Sequence, residues 1–211
     1  MQTTKVTNIA ELENRVGSDN VSIDLLGYYQ EYDLGGGTFS WDAASVLADD
    51  RGVVIQVVGV VTGRWIRNVD ESISVREFGA KGDGVTDDTV PIQSAVDYAE
   101  TNNLLLTGTG HSYLVTDTIK VGSNSNIDFK NGTIIRGWQP VTVGGVPINP
   151  VPESNKRQGA VIANKDDAVD FNTLHTNISI KNVRFSNPLL YFGCFMALYY
   201  VEDVVIDNIY C

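Results

Sequence analysis

The 211-residue sequence predicts a mostly β protein, in which a small β-rich module precedes a solenoid of short strands with one capping helix. Three observations carry this reading. Short alternating apolar segments, separated by Gly, Asn and Asp, fill most of the chain, and 20 glycines against 2 methionines disfavour a helix bundle. One amphipathic helix stands near the middle, entered through a tight glycine loop. The last third carries a repeat in which two strands meet at a fixed Asn.

At the start, Asn8 followed by Glu11 makes a capping pair, and Ile9, Leu12 and Val16 keep helical spacing, so a short helix is expected there. Val21-Ser-Ile-Asp-Leu25 alternates as a half-buried strand does. Gly35-Gly-Gly37 is a turn that leads into a strand with Phe39 and Trp41 on one face. Asp49-Asp-Arg-Gly52 turns into the β-branched run Val53–Val58, expected to be buried on both faces, and Gly63–Arg67 adds another alternating segment. The unit has about four strands. Trp41 and Trp65 are read as core or subunit-packing residues in preference to sugar-stacking platforms, because aromatics supply much core area.

After the polar link Asp70-Glu-Ser72, Gly79, Gly82 and Gly84 suit positive-φ turns. Asp87, Asp88 and Thr89 offer caps to a helix start, and Pro91 fits a first turn. Ile92, Ala95, Val96 and Ala99 then form one apolar face, and Asn102-Asn103 ends the helix. Leu104–Leu106, Tyr113–Val115 and Thr118–Val121 are short strands.

The repeat aligns Asn126-Ile-Asp-Phe-Lys-Asn131 with Asn177-Ile-Ser-Ile-Lys-Asn182 and Asp203-Val-Val-Ile-Asp-Asn208, with offsets of 51 and 26 residues. Asn tolerates the left-handed backbone of a sharp corner, so Asn131, Asn182 and Asn208 are expected to stack as an amide ladder. Ile127, Phe129, Ile178, Ile180, Val204 and Ile206 would point inward. The longer offset is read as one coil with an insertion, because residues 139–158 hold Pro140, Pro147, Pro150 and Pro152, and proline cannot donate to a strand ladder.

Charge and composition exclude several classes. Fifteen basic against 26 acidic residues give a net charge of −11, which argues against nucleic acid and anionic membrane as partners. The longest apolar run, Leu189–Tyr200, is broken by Gly193 and falls short of the roughly 20 residues that span a bilayer, so no membrane insertion is expected. Cys194 and Cys211 rule out a disulfide scaffold. Met1–Asn8 lack a signal-like apolar stretch, so synthesis in the cytoplasm without a signal peptide is expected, and the sequons at Asn20, Asn131 and Asn177 carry little weight.

Candidate chemistry is sparse. Asp83, Asp87 and Asp88 resemble a calcium cluster, but helix capping accounts for them, and no metal is expected. Asp166, Asp167 and Asp170 could pair as glycoside-cleaving acids, yet a solvated turn is the favoured reading. His111 and His175 are read as surface residues in turns. No phosphate-binding glycine motif is present and no cofactor is expected.

Val75-Arg-Glu-Phe-Gly-Ala-Lys-Gly-Asp-Gly-Val-Thr-Asp-Asp-Thr-Val-Pro-Ile-Gln-Ser-Ala-Val96 closely resembles the opening motif of pectate-lyase-like right-handed parallel β-helices, a group that includes polysaccharide-degrading enzymes and bacteriophage tailspikes. The upstream segments Leu26–Tyr29, Gly35–Trp41, Asp50–Ile55 and Gly63–Arg67 resemble the module that precedes the β-helix in many phage tailspikes and capsule depolymerases. Thr107-Gly-Thr-Gly110 departs from the family's Pro-x-Gly turn. The resemblance implies three regions: residues 1–20 as an arm with a short helix for virion attachment or trimer contact, 21–72 as the β-rich module, and 73–211 as the start of a β-helix with a capping helix at 90–101. It further implies the N-terminal part of a homotrimeric virion protein, attached to a phage tail or baseplate protein and presenting a β-helix that binds and degrades bacterial surface polysaccharide. It transfers no catalytic residue, and no complete active site is expected in these residues. A free bacterial lyase or hydrolase, or a non-enzymatic adhesin or baseplate protein, is the alternative. Cys211 falls inside the second strand of its coil, so a longer protein is expected.

Overall fold

The computed structural model describes residues 4–137, 142–143, 146–147, 161–165, 173–186, 196–198 and 201–210. The first module contains β1 (Thr4–Val6), α1 (Ile9–Glu13), β2 (Ser22–Leu25), β3 (Gly37–Asp42), β4 (Val54–Gln56) and β5 (Arg64–Arg67). They form one sheet in the order β1-β2-β3-β5-β4, with β1 parallel to β2 and the other pairs antiparallel. Strand alternation sends Ile23, Leu25, Phe39, Ile55 and Trp65 into one core, and α1 adds Ile9 and Leu12. The Asn8 side chain accepts the Glu11 amide at 3.0 Å, so the short helix starts where the capping pair predicts.

Two features of the module differ from the sequence reading. A fifth strand, β1, contains one apolar residue, Val6; its pairing with β2 makes it a strand, and no local pattern announces it. The run Val53–Val58 yields only a three-residue strand. The Asp50 carboxylate accepts the amides of Gly52, Val53 and Val54, which bends the chain at the start of the run. At its other end Val58 faces solvent.

Next come β6 (Ser72–Ser74), a 3-10 turn (Val75–Phe78), β7 (Asp83–Asp87), α2 (Thr89–Asn102), β8 (Leu105–Thr107), β9 (Ser112–Val115), β10 (Ile119–Val121) and β11 (Asn126–Arg136). They are followed by β12 (Thr142–Val143), β13 (Val146–Pro147), β14 (Ile162–Asn164), β15 (His175–Ser186), β16 (Met196–Ala197) and β17 (Val201–Tyr210). Apart from the small antiparallel hairpin β12-β13, all of these pairings are parallel. The chain winds as a parallel β-helix with three faces. One holds β6, β8 and the first halves of β11, β15 and β17. The second holds β7, β9 and the second halves of β11, β15 and β17. The third holds β10, β14 and β16. Like residues stack along the axis: Ile73 on Leu106 on Ile127 on Ile180, Tyr113 on Ile134 on Phe185, and Ile119 on Ile162. These side chains form one continuous core. Direct pairing of β11 with β15 shows that the 51-residue offset is a single coil enlarged by an insertion.

The corners follow the Asn rule, with a change of register. Asn131, Asn182 and Asn208 take φ of 64°, 53° and 51°, and Asn124, Asn177 and Asp203 form a second left-handed column at 66°, 58° and 53°. From β15 to β17 the offset of 26 holds throughout. From β11 to β15 it does not: Asn126 pairs with Ser179, not Asn177, while Gly132 pairs with Val183. The β11 corner carries two extra residues and places both Lys130 and Asn131 in the left-handed region, where β15 uses Asn182 alone. The ladder shifts accordingly. Asn208 Nδ2 donates to Asn182 Oδ1 at 3.0 Å, and Asn182 Nδ2 donates to Asp128 Oδ1 at 2.9 Å, so Asp128 takes the rung expected for Asn131. Burial pushes the Asp128 carboxyl up, but bonds from Lys130 and Asn182 outweigh this and hold it below the usual range. Ile127, Phe129, Ile178 and Ile180 are buried as expected, whereas Ile206 on β17 is 43% exposed.

Asn182 therefore combines two roles that substitution can separate. Asn182→Ala is expected to destabilise the protein by about 2–3 kcal/mol, from the left-handed backbone cost and the two ladder bonds. Asn182→Gly keeps the corner and should lose only about 1–2 kcal/mol. Urea denaturation of both variants checks this; equal losses would contradict the backbone role.

Candidate functional site at the junction of module and β-helix

The first coil supplies only two strands, β6 and β7, and α2 lies where a third-face strand would stand. Ile92, Ala95, Val96 and Ala99 are buried against the coil interior. Polar residues beside that stripe close the free edge of the next coil. Gln93 Nε2 donates to Lys120 O at 2.9 Å while Gln93 Oε1 accepts from Lys120 N at 2.7 Å, as a neighbouring strand would. Glu100 Oε1 accepts the Gly122 amide at 2.6 Å and also the Ser125 hydroxyl. Thr89 Oγ1 accepts the Thr116 amide at 2.8 Å. Lys165, next to β14, reaches back to Glu100 at 2.6 Å and Asp97 at 2.7 Å. Burial weighs against the Lys165 charge, but the two carboxylates hold its ammonium above the ordinary range.

The approach to α2 corrects the capping expectation. Gly79, Gly82 and Gly84 do take positive φ, but Asp83–Asp87 is a strand paired with β9 and not merely a loop. Asp88 occupies the N-cap position without a side-chain cap bond. Its buried carboxylate instead accepts the amides of Lys81 at 2.6 Å and Gly82 at 2.9 Å, tying the glycine turn to the helix start. Burial pushes this carboxyl up, and the two amides only partly oppose the effect. Asp87 accepts from the Thr89 amide at 3.0 Å and the Thr116 hydroxyl at 2.6 Å. Asp83 accepts the Val85 and Thr86 amides, which hold its carboxyl down at about 2.

The module is fastened to this cap by two arginines and an aspartate. The buried Arg67 at the end of β5 donates to the carbonyls of Gly52 (2.9 Å), Gly36 (2.7 Å) and Gly35 (3.2 Å) and to Glu77 Oε1 (3.2 Å), with its guanidinium over the Phe39 ring. Glu77 also closes the capping box with Ser74 that starts the 3-10 turn. From the β-helix side, Arg76 donates to Asp33 O at 3.0 and 2.6 Å and to Lys81 O. The Tyr29 hydroxyl donates to Gly79 O at 2.8 Å. Asp33 organises the facing loop by accepting the amides of Tyr28, Tyr29, Gln30 and Gly35. Burial pushes its carboxyl up, but the four amides outweigh this and leave it below the usual range. Gly52 lets the module meet Phe78 directly, since a Cβ there would lie 2.3 Å from the ring. The groups so joined are backbone carbonyls, amides and paired charges, an arrangement suited to fixing one body on another.

The remaining sequence candidates separate cleanly. Asp166, Asp167 and Asp170 lie outside the described residues, as do Cys194, Cys211 and most of the proline-rich insertion. Asp83, Asp87 and Asp88 direct their carboxylates onto their own loop and β9, and no cluster of three or more potential metal ligands occurs among the described residues. His111 is exposed and bonds Thr109, whereas His175, expected at the surface, is buried at the start of β15 with Nε2 3.0 Å from Lys165 O. Trp65 is fully buried and stacks edge-on with the half-buried Trp41 at 5.2 Å, so both serve the core. A groove of about 260 Å³ beside Trp65, bounded by Thr4, Arg15 and Ser18, is lined by no carboxylate and lacks the acid pair of a glycosidase. No helix among the described residues is long and apolar enough to cross a membrane. Sequence reading missed Arg67, Asp33 and Gln93. Gln93, Asp97 and Glu100 do form a polar i, i+4, i+7 stripe beside the apolar one, a signal that could have found the edge-closing role.

The architecture defines a parallel β-helix, capped by α2 and joined to a small β-sheet module. Comparison with known proteins agrees in both parts. Residues 5–70 match the phage tail protein small four-stranded β-sheet domain, and residues 72–130 match the rhamnogalacturonase A/epimerase, pectate lyase-like family. The fold resembles tailspike gp42 of Acinetobacter phage vb_AbaP_AS12 (TM-score 0.70, 17% identity, covering 99% of this chain and 36% of that one). It also resembles tailspike gp49 of Acinetobacter baumannii bacteriophage Fri1, a capsular polysaccharide depolymerase (TM-score 0.65, 16% identity, 98% and 38%). Pantoea stewartii WceF, a glycan biofilm modifying enzyme with a tailspike-like fold, matches with a TM-score of 0.59 at 17% identity over 98% of this chain and 31% of that one. A curated relative, a probable glucan endo-1,3-beta-glucosidase of Arthroderma benhamiae, is 45% identical over 60 residues, 28% of this chain and 7% of its own. The chain thus spans little more than a third of these tailspikes and a small part of the glucosidase. The residues that match the phage tail β-sheet domain are followed directly by those that open the β-helix, whose fold resembles that of these tailspikes.

Two outcomes test the junction. Arg67→Met, which strands a buried set of carbonyls and Glu77, is expected to cost about 3–5 kcal/mol in urea denaturation; a loss below about 1 kcal/mol would show that Arg67 does not fasten the module. Asp83 is lowered in the fold from 3.8 to about 2, so its contribution is present above pH 4 and is lost as pH falls toward 2. Asp88, raised by burial, works in the opposite sense, since its strain is relieved on acidification. Asp83→Asn keeps an acceptor for both amides and should flatten the loss of stability between about pH 4 and pH 2, measured as urea midpoints against pH. An unchanged profile would contradict the assignment.

Proposed function

We propose that this chain is the virion-anchoring, β-helix-initiating part of a phage tailspike that binds and degrades a bacterial surface polysaccharide. The observation that carries the reading is the direct, part-buried coupling of the segment that matches a phage tail β-sheet domain to the capped start of a β-helix that matches a pectate lyase-like family. In this proposal residues 1–20 and the module meet a tail or baseplate protein, three identical chains assemble as a homotrimer, and the β-helix presents the glycan-handling surface. The part described here anchors the protein and initiates the solenoid. The carboxylates of Asp83 and Asp88 are turned onto their own loop, Asp97 and Glu100 hold Lys165, and the groove beside Trp65 is lined by no carboxylate. The net charge of −11 supports neither nucleic acid nor anionic lipid as partner, and an acidic capsule would have to be held by local groups.

A second reading has one observation in its favour: Pantoea stewartii WceF, a glycan biofilm modifying enzyme, shares the fold. A free polysaccharide lyase or hydrolase on this scaffold would need no tail partner. Phage encoding the protein without residues 1–72 separate the two. Under the tailspike reading, virions lose capsule-degrading activity, while the purified truncated protein still releases new reducing ends or unsaturated uronate from host capsule. Virions that keep the activity would overturn tail attachment through this region. A full-length protein that binds host capsule without releasing products would favour an adhesin.

A further inference from the structure

We propose that the uncharged apolar patch made by two loops of the module, Ala43–Ala48 and Val57–Gly63, is a contact surface between copies of this chain. The inference rests on the homotrimer of the preceding section and names a surface for it.

The two loops are clasped into one surface by Arg64. Its buried guanidinium donates to Leu47 O at 2.7 Å, Gly63 O at 2.8 Å and Val61 O at 3.1 Å, and the Gly63 amide donates to Ser45 O at 2.8 Å. Ser45 is buried beneath them. The clasp uses backbone carbonyls, so the side chains between them are turned outward: Val46 is 70%, Leu47 57% and Val61 80% exposed. Together they display roughly 300 Å² of largely apolar surface, at the lower end of the size of the largest patch on a typical monomer, which is often functional.

Charge selects the occupant. Neither loop contains an ionisable side chain, although the chain carries a net charge of −11. The acids that flank the loops are turned into their own backbone: Asp42 accepts the Ala44 amide, Asp49 those of Arg51 and Gln56, and Asp50 those of Gly52, Val53 and Val54. A basic partner would gain most from an acidic chain by meeting free carboxylates, and the two loops themselves carry none. An identical acidic chain has the opposite requirement, because like charges repel and two copies approach best where both surfaces are neutral. A stable interface buries about 1,600 Å² in total, so this patch is one section of a contact that extends beyond it.

Light scattering on the full-length protein, with Leu47→Asp/Val61→Asp as the variant and Val85→Asp on the β-helix as the control, tests the proposal. The expected result is a trimer for the wild type and the control. The double variant should need at least ten-fold higher protein concentration to assemble, with its near-UV circular dichroism unchanged. A double variant that remains trimeric like the control overturns the patch and leaves the homotrimer standing, including the case in which its spikes fail to join tails and the patch serves another virion protein. A monomeric wild type overturns the homotrimer and the patch with it. If the double variant loses its near-UV signal, Leu47→Ser/Val61→Ser replaces it, with a smaller but measurable shift toward monomer expected and no shift overturning the proposal.

Discussion

A β-solenoid cannot begin without exposing both an apolar interior and a row of unpaired backbone groups, and the closure of that raw end is what the rest of this structure depends on. α2 meets both needs with adjacent stripes of one helix. Small residues, Ala95 and Ala99, with Ile92 and Val96, let it sit low over the coil interior. Gln93 and Glu100 then provide the hydrogen bonds that a preceding strand would have provided to Lys120 and Gly122. With that edge closed, each later coil has a complete template, and the stacks from Ile73 to Ile180 and from Tyr113 to Phe185 follow in parallel register.

The same cap is the platform for the module. Arg67 and Arg76 approach the junction from opposite sides and both end largely on carbonyl oxygens, which cannot rotate away as side-chain partners can. Guanidinium groups suit such sites because their donors form a rigid planar fork. Gly52 and Gly79 bring the backbones close, the first against Phe78 and the second with φ of 89° at the end of the 3-10 turn. The result is a joint in which donors and acceptors on both sides are held by fixed backbone groups.

The coils tolerate enlargement because their corners and their rungs are separate devices. The corners need a left-handed residue, and Asn at 124, 131, 177, 182 and 208 provides it at low steric cost. The rungs need only alternating inward apolar residues. A corner can therefore gain residues, as at Lys130 and Asn131, and a loop can grow between β11 and β14, while Ile134 still stacks on Phe185.

The sequence by itself determined the class of fold, the capping helix and the inward residues, because these are written in short-range periodicity: the helical spacing from Ile92 to Ala99 and the alternation around Asn131, Asn182 and Asn208. Tertiary structure alone decided the register between β11 and β15, the ladder rung taken by Asp128, the strand β1, and the burial of Arg67, Asp88 and His175. A charged side chain far from its partners in sequence gives no local sign that it will be buried. Arg67 meets Gly35, Gly36 and Glu77 only where the sheet and the start of the β-helix lie against each other. Periodicity records which face a residue turns to; the neighbour it meets there is set by long-range packing.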